Sequence, residues 1–236
     1  MPSVALPAQR QNIIPLGTAR ETRLVELRKL LAGKYPEEAP HWSGILETGL
    51  AAVDQLEGGL RLGALTEISG SPAGNSLLLQ SLLALLRRQK RLGALIDCGS
   101  FFDPDSFPSA SLQRLLWVQC ANPAMAVKAA DLLLRDSNLC LLLLDLQGAK
   151  PRELRRVPAS TWHRFQRLVE PSNTALLVFT RQPIVESAAV RMAAGWPWNF
   201  AALTARRTQL LAALNARVCP RRRLALPPFA EQQRIA

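Results

Sequence analysis

The sequence predicts an α/β protein built on a mostly parallel β-sheet with helices on both faces. Runs of strand length that are apolar almost throughout, such as LCLLLLDL at 139–146, alternate with longer segments of helical periodicity. Such strands belong to parallel sheets, because crossover helices cover both faces. No run reaches the length of a membrane-spanning helix and the N-terminus lacks a secretory signal, so we expect a cytoplasmic protein without membrane contact.

The core elements follow one another between residues 44 and 200. We expect strands at 64–68, 93–98, 114–120, 139–146 and 173–180, and helices at 76–91, 123–136 and 159–170. In the last helix, Trp162, Phe165 and Val169 fall on one face, which indicates packing against the core and not a platform for bases. The four cysteines are widely spaced and are expected to be buried free thiols, and neither the cysteines nor the two histidines suggest a metal site.

Two further regions flank this core. Residues 1–43 are expected to form a flexible leader, an amphipathic helix at 21–33 and a linker. Residues 201–236 are expected to form a basic C-terminal helix and a Pro-rich tail. The stretch 205–229 is interpreted as a helix carrying Leu210, Leu211 and Leu214, followed by an arginine triplet. A basic helix with an apolar face outside the sheet is a candidate partner-docking element.

Charge is distributed unevenly along the chain. Residues 1–149 carry 14 basic and 14 acidic side chains, whereas residues 150–236 carry 15 basic and 4 acidic ones, so the second part holds the whole net charge of +11. Arginine suits phosphate oxygens and acidic surfaces. The alternative is a solvated basic face in a chain of arginine-biased composition.

The stretch SGSPAGNS at 69–76 lies where a phosphate-binding loop would join a strand to a helix. Such loops need glycines for close backbone approach, a lysine for the outer phosphates and a hydroxyl for magnesium. Here Gly70 and Gly74 enclose three residues instead of four, Asn75 replaces the lysine, and Ser76 keeps the hydroxyl. The loop is therefore one residue short and lacks its cation.

The segment TGLAAVDQLEGGLRLGALTEISGSPAGNS resembles the start of the RecA superfamily core, with its T-G-x-x-x-L-D segment and G-G-[LIV]-x-x-G turn. The similarity continues through the strand ending in Ile96 and Asp97, through Asp145, and to SNTALLVFTRQP, so it covers about residues 44–192. It implies a RecA-like sheet flanked by helices, with Asp145 at the position of the second metal-associated motif. An aspartate at that place also caps turns in proteins without a metal.

The chain departs from the family where the family performs catalysis. RecA-type ATPases place a glutamate two residues after the aspartate of I-D, and this sequence has Gly99 there. Without the lysine and the glutamate, the main electrostatic and general-base contributions to phosphoryl transfer are missing. We therefore expect no catalytic residues, no metal and no cofactor, with weak binding of ATP and magnesium left open.

Within the superfamily the pattern is most similar to the ImuA-like accessory proteins of translesion synthesis, which are related to SulA. That resemblance implies a role in the SOS response to DNA damage. It also implies three partners, namely an ImuB-like homologue of Y-family polymerases, a DnaE-type polymerase and RecA. Two alternatives stay open: a divergent nucleotide-dependent ATPase or switch, and a SulA-like inhibitor of cell division.

Binding residues are expected among the basic side chains, with single-stranded DNA as a weak, non-specific ligand. In RecA-like folds the loops after the Asp145 strand and after LLVFT face DNA. Trp196 and Trp198, separated by a proline, are either interface anchors or a closure of the core edge. The candidate DNA or partner contacts are Lys150, Arg152, Arg155, Arg156, Arg181, Arg206, Arg207, Arg221, Arg222 and Arg223.

Overall fold

The computed structural model of the chain describes residues 44–70, 75–136, 138–195 and 204–219. Side chains at a few of these positions, among them Asn75, Ser76 and Arg207, are not described. The helix predicted at 21–33, residues 71–74 of the predicted phosphate loop, Trp196 and Trp198, and arginines 221–223 lie outside the described residues.

A seven-stranded sheet forms the centre of the fold. A short antiparallel pair, β1 (Ile45–Leu46) and β2 (Leu60–Arg61), precedes it. The sheet strands run in the order β5-β4-β6-β7-β3-β8-β9, and every neighbouring pair is parallel except β8 and β9. Their bounds are β3 (Leu65–Gly70), β4 (Leu92–Cys98), β5 (Leu115–Cys120), β6 (Leu139–Asp145), β7 (Ala175–Thr180), β8 (Val190–Gly195) and β9 (Asn215–Val218).

Helices cover both faces of the sheet, as the apolar strands require. On β6, Leu141 and Leu143 pack into one buried cluster with α2 (Asn75–Arg88), while Leu142 and Leu144 pack into a second cluster with α4 (Pro123–Leu133) and α6 (Ala159–Val169). A 3-10 turn spans Pro104–Ser106. The helices are α1 (Ala51–Glu57), α2 (Asn75–Arg88), α3 (Ser109–Leu112), α4 (Pro123–Leu133), α5 (Pro151–Leu154), α6 (Ala159–Val169) and α7 (Arg207–Ala212).

The expected core elements are confirmed, and their bounds agree to within three residues. The aromatic face of α6 is buried: Trp162 is 2% exposed, and Phe165 and Val169 are fully covered. Cys98, Cys120 and Cys140 are free and buried, and Cys219 is half-buried. Within the described residues no helix combines the length and the apolar character that crossing a membrane demands.

The C-terminal part differs from the prediction. The helix expected from residue 205 ends at Ala212, and the chain then forms β9, which pairs antiparallel with β8. Leu214 is buried in the same cluster as α2, and Leu211 packs against that cluster. The helix is therefore shorter than predicted, and the prediction of an element outside the sheet is wrong for residues 215–218, because the open edge of β8 offers backbone hydrogen bonds that the helical pattern did not reveal.

Candidate functional site

The carboxyl ends of four parallel strands form one edge of the sheet, where α/β proteins commonly bind ligands. β3 ends at Gly70, β4 at Cys98, β6 at Asp145 and β7 at Thr180. The register pairs Asp97 with Asp145 on neighbouring strands. The fold thus brings the start of the predicted phosphate loop, both aspartates of the family pattern and the β6–α5 connection to one edge.

A buried glutamine joins these strand ends. The Nε2 group of Gln147 donates to the carbonyl oxygen of Gly70 at 3.1 Å and to that of Thr180 at 3.3 Å. Gly70 itself has a φ of +155°, and a Cβ there would overlap the carbonyl oxygen of Ala194 on β8. Gly70 is therefore required by strand packing, whether or not a phosphate binds beside it.

Backbone atoms pack closely around Gly99. Gly99 has a φ of +122°, and a Cβ on it would lie 2.8 Å from the Cα of Gly148. In return, a Cβ on Gly148 would overlap the carbonyl oxygen of Cys98 and would lie 2.5 Å from the Phe101 ring. The two glycines allow the connections after β4 and β6 to touch, and this contact leaves no space for a side chain at Gly99.

The two aspartates are occupied by local hydrogen bonds. Asp97 is buried, and its carboxylate accepts from the backbone N–H groups of Phe101 and Phe102, both at 3.1 Å. Asp145 is half-buried and accepts from the N–H of Gln147 at 2.9 Å. Each aspartate therefore caps the turn that follows its own strand.

Burial raises the pKa of Asp145 to about 6, and the nearby Asp97 adds to this rise. The hydrogen bond from Gln147 and the positive charge of Arg181 act in the opposite direction and lower the pKa. Within the described residues no group of three or more His, Cys, Asp and Glu is arranged to hold a metal ion. This edge therefore fits a nucleotide–magnesium complex poorly, since both carboxylates already accept hydrogen bonds from the turns that follow their strands.

The connection after β7, residues 181–189, is held by a buried ion pair that the sequence analysis did not find. Glu67 in the middle of β3 is fully buried, and its Oε2 lies 2.7 Å from Nε of Arg191 on β8. Its Oε1 accepts from the backbone N–H groups of Ile184 and Val185 at 2.7 and 3.1 Å, and from the Thr180 hydroxyl. This loop therefore closes around a charged pair inside the protein.

The sequence contained one indication of the ion pair between Glu67 and Arg191. Glu67 is the acidic residue in the otherwise neutral strand LTEISG, and a charged residue in a buried strand needs a partner. Arg191, which the charge count placed in the basic surface, is 8% exposed and belongs to the interior. Arg181, by contrast, is exposed, and its Nε donates to the carbonyl oxygen of Gln147 at 2.7 Å.

The predicted basic residues after β6 form a cluster on the surface. They lie on α5 and the turns that flank it, all are exposed, and none has a carboxylate within 4 Å among the described residues. We call this group the basic turn, and it consists of Lys150, Arg152, Arg155 and Arg156. Its apolar neighbours Leu154 and Val157 pack on the face that carries α4 and α6.

Arg206 lies elsewhere. It is exposed at the start of α7, and α7 and the following turn pack on the opposite face of the sheet through Leu211 and Leu214. Arg207 belongs to the same helix. The fold therefore places the basic turn and Arg206 on opposite faces of the sheet, so a single ligand does not span these two easily.

Comparison with solved structures identifies the fold. The crystal structure of the RadB recombinase, a member of the RecA superfamily, matches with a TM-score of 0.54 and 17% identity over 65% of this chain and 85% of the RadB chain. At this identity the likeness shows the fold alone, which is a RecA-like α/β fold. No protein-family model and no curated protein matches the sequence.

Proposed function

We propose that this protein is a non-hydrolysing RecA-like adaptor in the response to DNA damage, supporting mutagenic translesion synthesis. The contact between Gly99 and Gly148 carries the first half of the proposal, because it occupies the position of the glutamate in RecA-type ATPases. A glutamate could enter only if both connections moved. The close packing of the connections after β4 and β6 therefore excludes the general base, so replacing Gly99 alone with glutamate would not restore it.

The other parts of the edge support the same conclusion. The lysine position of the loop holds Asn75, and Asp97 is engaged by two backbone N–H groups. Phosphoryl transfer depends on positive charge near the phosphates and on a base that orients the water. An edge without the loop lysine and without the glutamate is suited to holding the fold together and to positioning the surfaces around it.

The binding half of the proposal relies on the basic turn and on the resemblance to ImuA-like proteins. Four exposed cations with no acidic partner in the described part of the chain attract an acidic protein surface or the backbone of single-stranded DNA. The proposed partners are an ImuB-like homologue of Y-family polymerases, a DnaE-type polymerase and RecA. Without aromatic side chains among these cations, contact with DNA is weak and depends strongly on salt.

ATP turnover by the purified full chain, measured beside RecA with single-stranded DNA present, tests the first half. We expect no turnover above background, and no thermal shift with an ATP analogue and magnesium. A rate comparable to that of RecA overturns the proposal.

Titration of the purified ImuB-like, DnaE-type and RecA proteins against the full chain tests the second half. We expect binding by at least the ImuB-like protein, weakened when the basic turn is changed to glutamine. The matched control changes Arg87 and Arg88, two exposed arginines at the end of α2 on the opposite face, to glutamine. Absence of binding to all three proteins overturns the assignment to translesion synthesis.

A further inference from the structure

A groove of about 480 Å³ opens between the first turn of α4 and the first turn of α6. Its lining is mainly apolar and comes from short side chains, including Pro123, Val127, Val157 and Pro158. The groove therefore offers a surface on which a medium-sized apolar side chain can be covered.

Two cations stand at this groove. Lys128 on α4 and Arg156 of the basic turn both line it and both are exposed. Among the described residues neither has a carboxylate within 4 Å, although Glu153 also lines the groove. Their positive charge is thus available to a ligand that brings its own carboxylates.

A hydroxyl adds a third feature. Thr161 lines the groove and its side chain is largely buried, but its hydroxyl oxygen stays accessible and makes no hydrogen bond to another described residue. It lies in the first turn of α6, whose N-terminus is preceded by Pro158 and has no side-chain cap. Unsatisfied polar groups at a helix N-terminus are ready to bind an anionic oxygen.

We propose that this groove binds a short acidic segment of a partner protein. A carboxylate of the segment is held by Lys128, Arg156 and the Thr161 hydroxyl, and an adjacent leucine-like side chain covers the apolar floor. The inference rests on the proposed adaptor function and names the chemistry of the partner's contact.

The lining favours a peptide over nucleic acid for two reasons. No aromatic side chain lines the groove among the described residues, so bases have no surface to stack on. The carboxylate of Glu153 in the wall repels a chain of phosphates, whereas a peptide can place its few acidic groups away from it.

Fluorescence anisotropy with the full chain tests this inference. The probe is a short peptide of glutamates around two central leucines, compared with the same peptide carrying serines for leucines, or glutamines for glutamates. A thymidine oligonucleotide of matched length is the nucleic-acid probe. At physiological salt, which screens weak contacts with nucleic acid, we expect saturable binding of the first peptide only, with a Kd below about 100 μM.

Substitutions of the groove residues test whether the peptide binds in the groove. Lys128→Glu combined with Arg156→Glu is expected to weaken binding of the acidic leucine peptide about tenfold, and Thr161→Val about threefold. Arg87→Glu on α2, an exposed arginine on the opposite face, is the matched control and should leave the Kd unchanged. All three variants should retain the wild-type melting temperature, which excludes misfolding as the cause of weaker binding.

Several results overturn the inference. These are no binding of the acidic leucine peptide up to about 1 mM, equal binding of the peptides without leucine or without charge, or equal losses in the control variant. Binding of the oligonucleotide that depends on Lys128 and Arg156 and exceeds peptide binding assigns the groove to nucleic acid instead. Peptide binding without any translesion partner retains the groove and rejects only the proposed pathway.

Discussion

Two connections leave the same edge of the sheet, and they differ in how they treat charge. The one after β6 exposes Lys150 and three arginines that have no acidic partner among the described residues. The one after β7 closes over Glu67 and Arg191, which are buried together at 2.7 Å. Arginine in this chain therefore serves two purposes, and only its surroundings in the fold reveal which one applies.

The difference also distinguishes a connection that is free to bind a ligand from one that stabilises the fold. In RecA-like folds both connections are candidates for contact with DNA, yet residues 181–189 are fixed by hydrogen bonds from Ile184 and Val185 to Glu67, and Val185 is fully buried. A loop held in this way does not reshape itself around a ligand without losing these bonds. We therefore propose the connection after β6, and not the one after β7, as the binding region.

Glu67→Gln should produce the largest loss. It leaves the Arg191 guanidinium buried without a countercharge, which typically costs about 3–5 kcal/mol in the free energy of unfolding. Urea denaturation followed by circular dichroism measures this value. Arg135→Gln, which removes an exposed ion pair with Asp131 on α4, should cost less than about 1 kcal/mol.

A second variant separates charge burial from simple packing. Glu67→Gln combined with Arg191→Met removes both charges, so it should be more stable than Glu67→Gln alone. If the double variant is less stable than the single one, the ion pair itself is not what holds the connection after β7.

Gly99→Ala should have the next largest effect. Its φ of +122° is unfavourable for alanine, and the new Cβ would lie 2.8 Å from the Cα of Gly148, so we expect a loss of about 2 kcal/mol or more. Gly195→Ala is the matched control, because no atom lies within 4 Å of a Cβ there, and its effect should stay within about 0.5 kcal/mol. Equal unfolding midpoints for the two variants would contradict the packing described at the edge.

Asp145→Asn should raise the free energy of unfolding, by less than the losses expected for the variants of Glu67 and Gly99. Burial raises the pKa of Asp145 from 3.8 to about 6, so the folded protein holds this proton more tightly than the unfolded chain. The contribution of the protonated Asp145 carboxyl to the free energy of unfolding is fully present below about pH 4. This contribution is lost as the pH rises from about 4 to 6. Because the side chain is partly exposed, solvent screening reduces the expected gain from this substitution to about 1 kcal/mol near neutral pH.

The measurement is a series of urea curves across this pH range. The gain from Asp145→Asn should appear above about pH 6 and vanish near pH 3.5, where the wild-type carboxyl is protonated in both states. A difference that does not vary with pH would indicate a change in packing and not the removal of a strained charge.

Replacing all four cations of the basic turn with glutamine should leave stability within about 0.5 kcal/mol, because the side chains are exposed. Binding to a thymidine oligonucleotide at low salt should fall, and the log–log salt dependence should become shallower by up to about 3, since each phosphate contact contributes about 0.7. Fluorescence anisotropy over a salt series measures both. Changing Arg87 and Arg88 on α2 instead should leave the slope unchanged.

Sequence patterns predicted the five core strands and three core helices because each has a strong periodic or uniformly apolar signal. β8 escaped prediction because its VRMAAG sequence contains Arg191, which becomes a buried residue only through Glu67, 124 positions away. β9 escaped because NARV continues a helical pattern, and only the open edge of β8 converts it to a strand. Both errors arise from contacts that are distant in sequence.

The same distinction between local patterns and contacts distant in sequence applies to the candidate site. The positions of Asp145, Gly99 and the basic turn could be predicted, since each depends on the order of residues along the chain. Three features could not be predicted, because each joins residues from separate connections. These are the contact between Gly99 and Gly148, the hydrogen bonds from Gln147 to Gly70 and Thr180, and the groove beside Thr161. Local patterns identify where a strand ends, whereas the sheet register decides what meets there.

The strand order has a consequence for how the protein is made. β3 lies between β7 and β8, and the first residue of β7 is Ala175, so synthesis must continue for about 100 residues after Gly70 before β3 gains a parallel neighbour. At the usual rates of translation this takes roughly 5–20 s, during which both edges of β3 lack a paired strand and can contact other chains. We therefore expect slower translation of the second half to lengthen the time in which the unfinished sheet can aggregate.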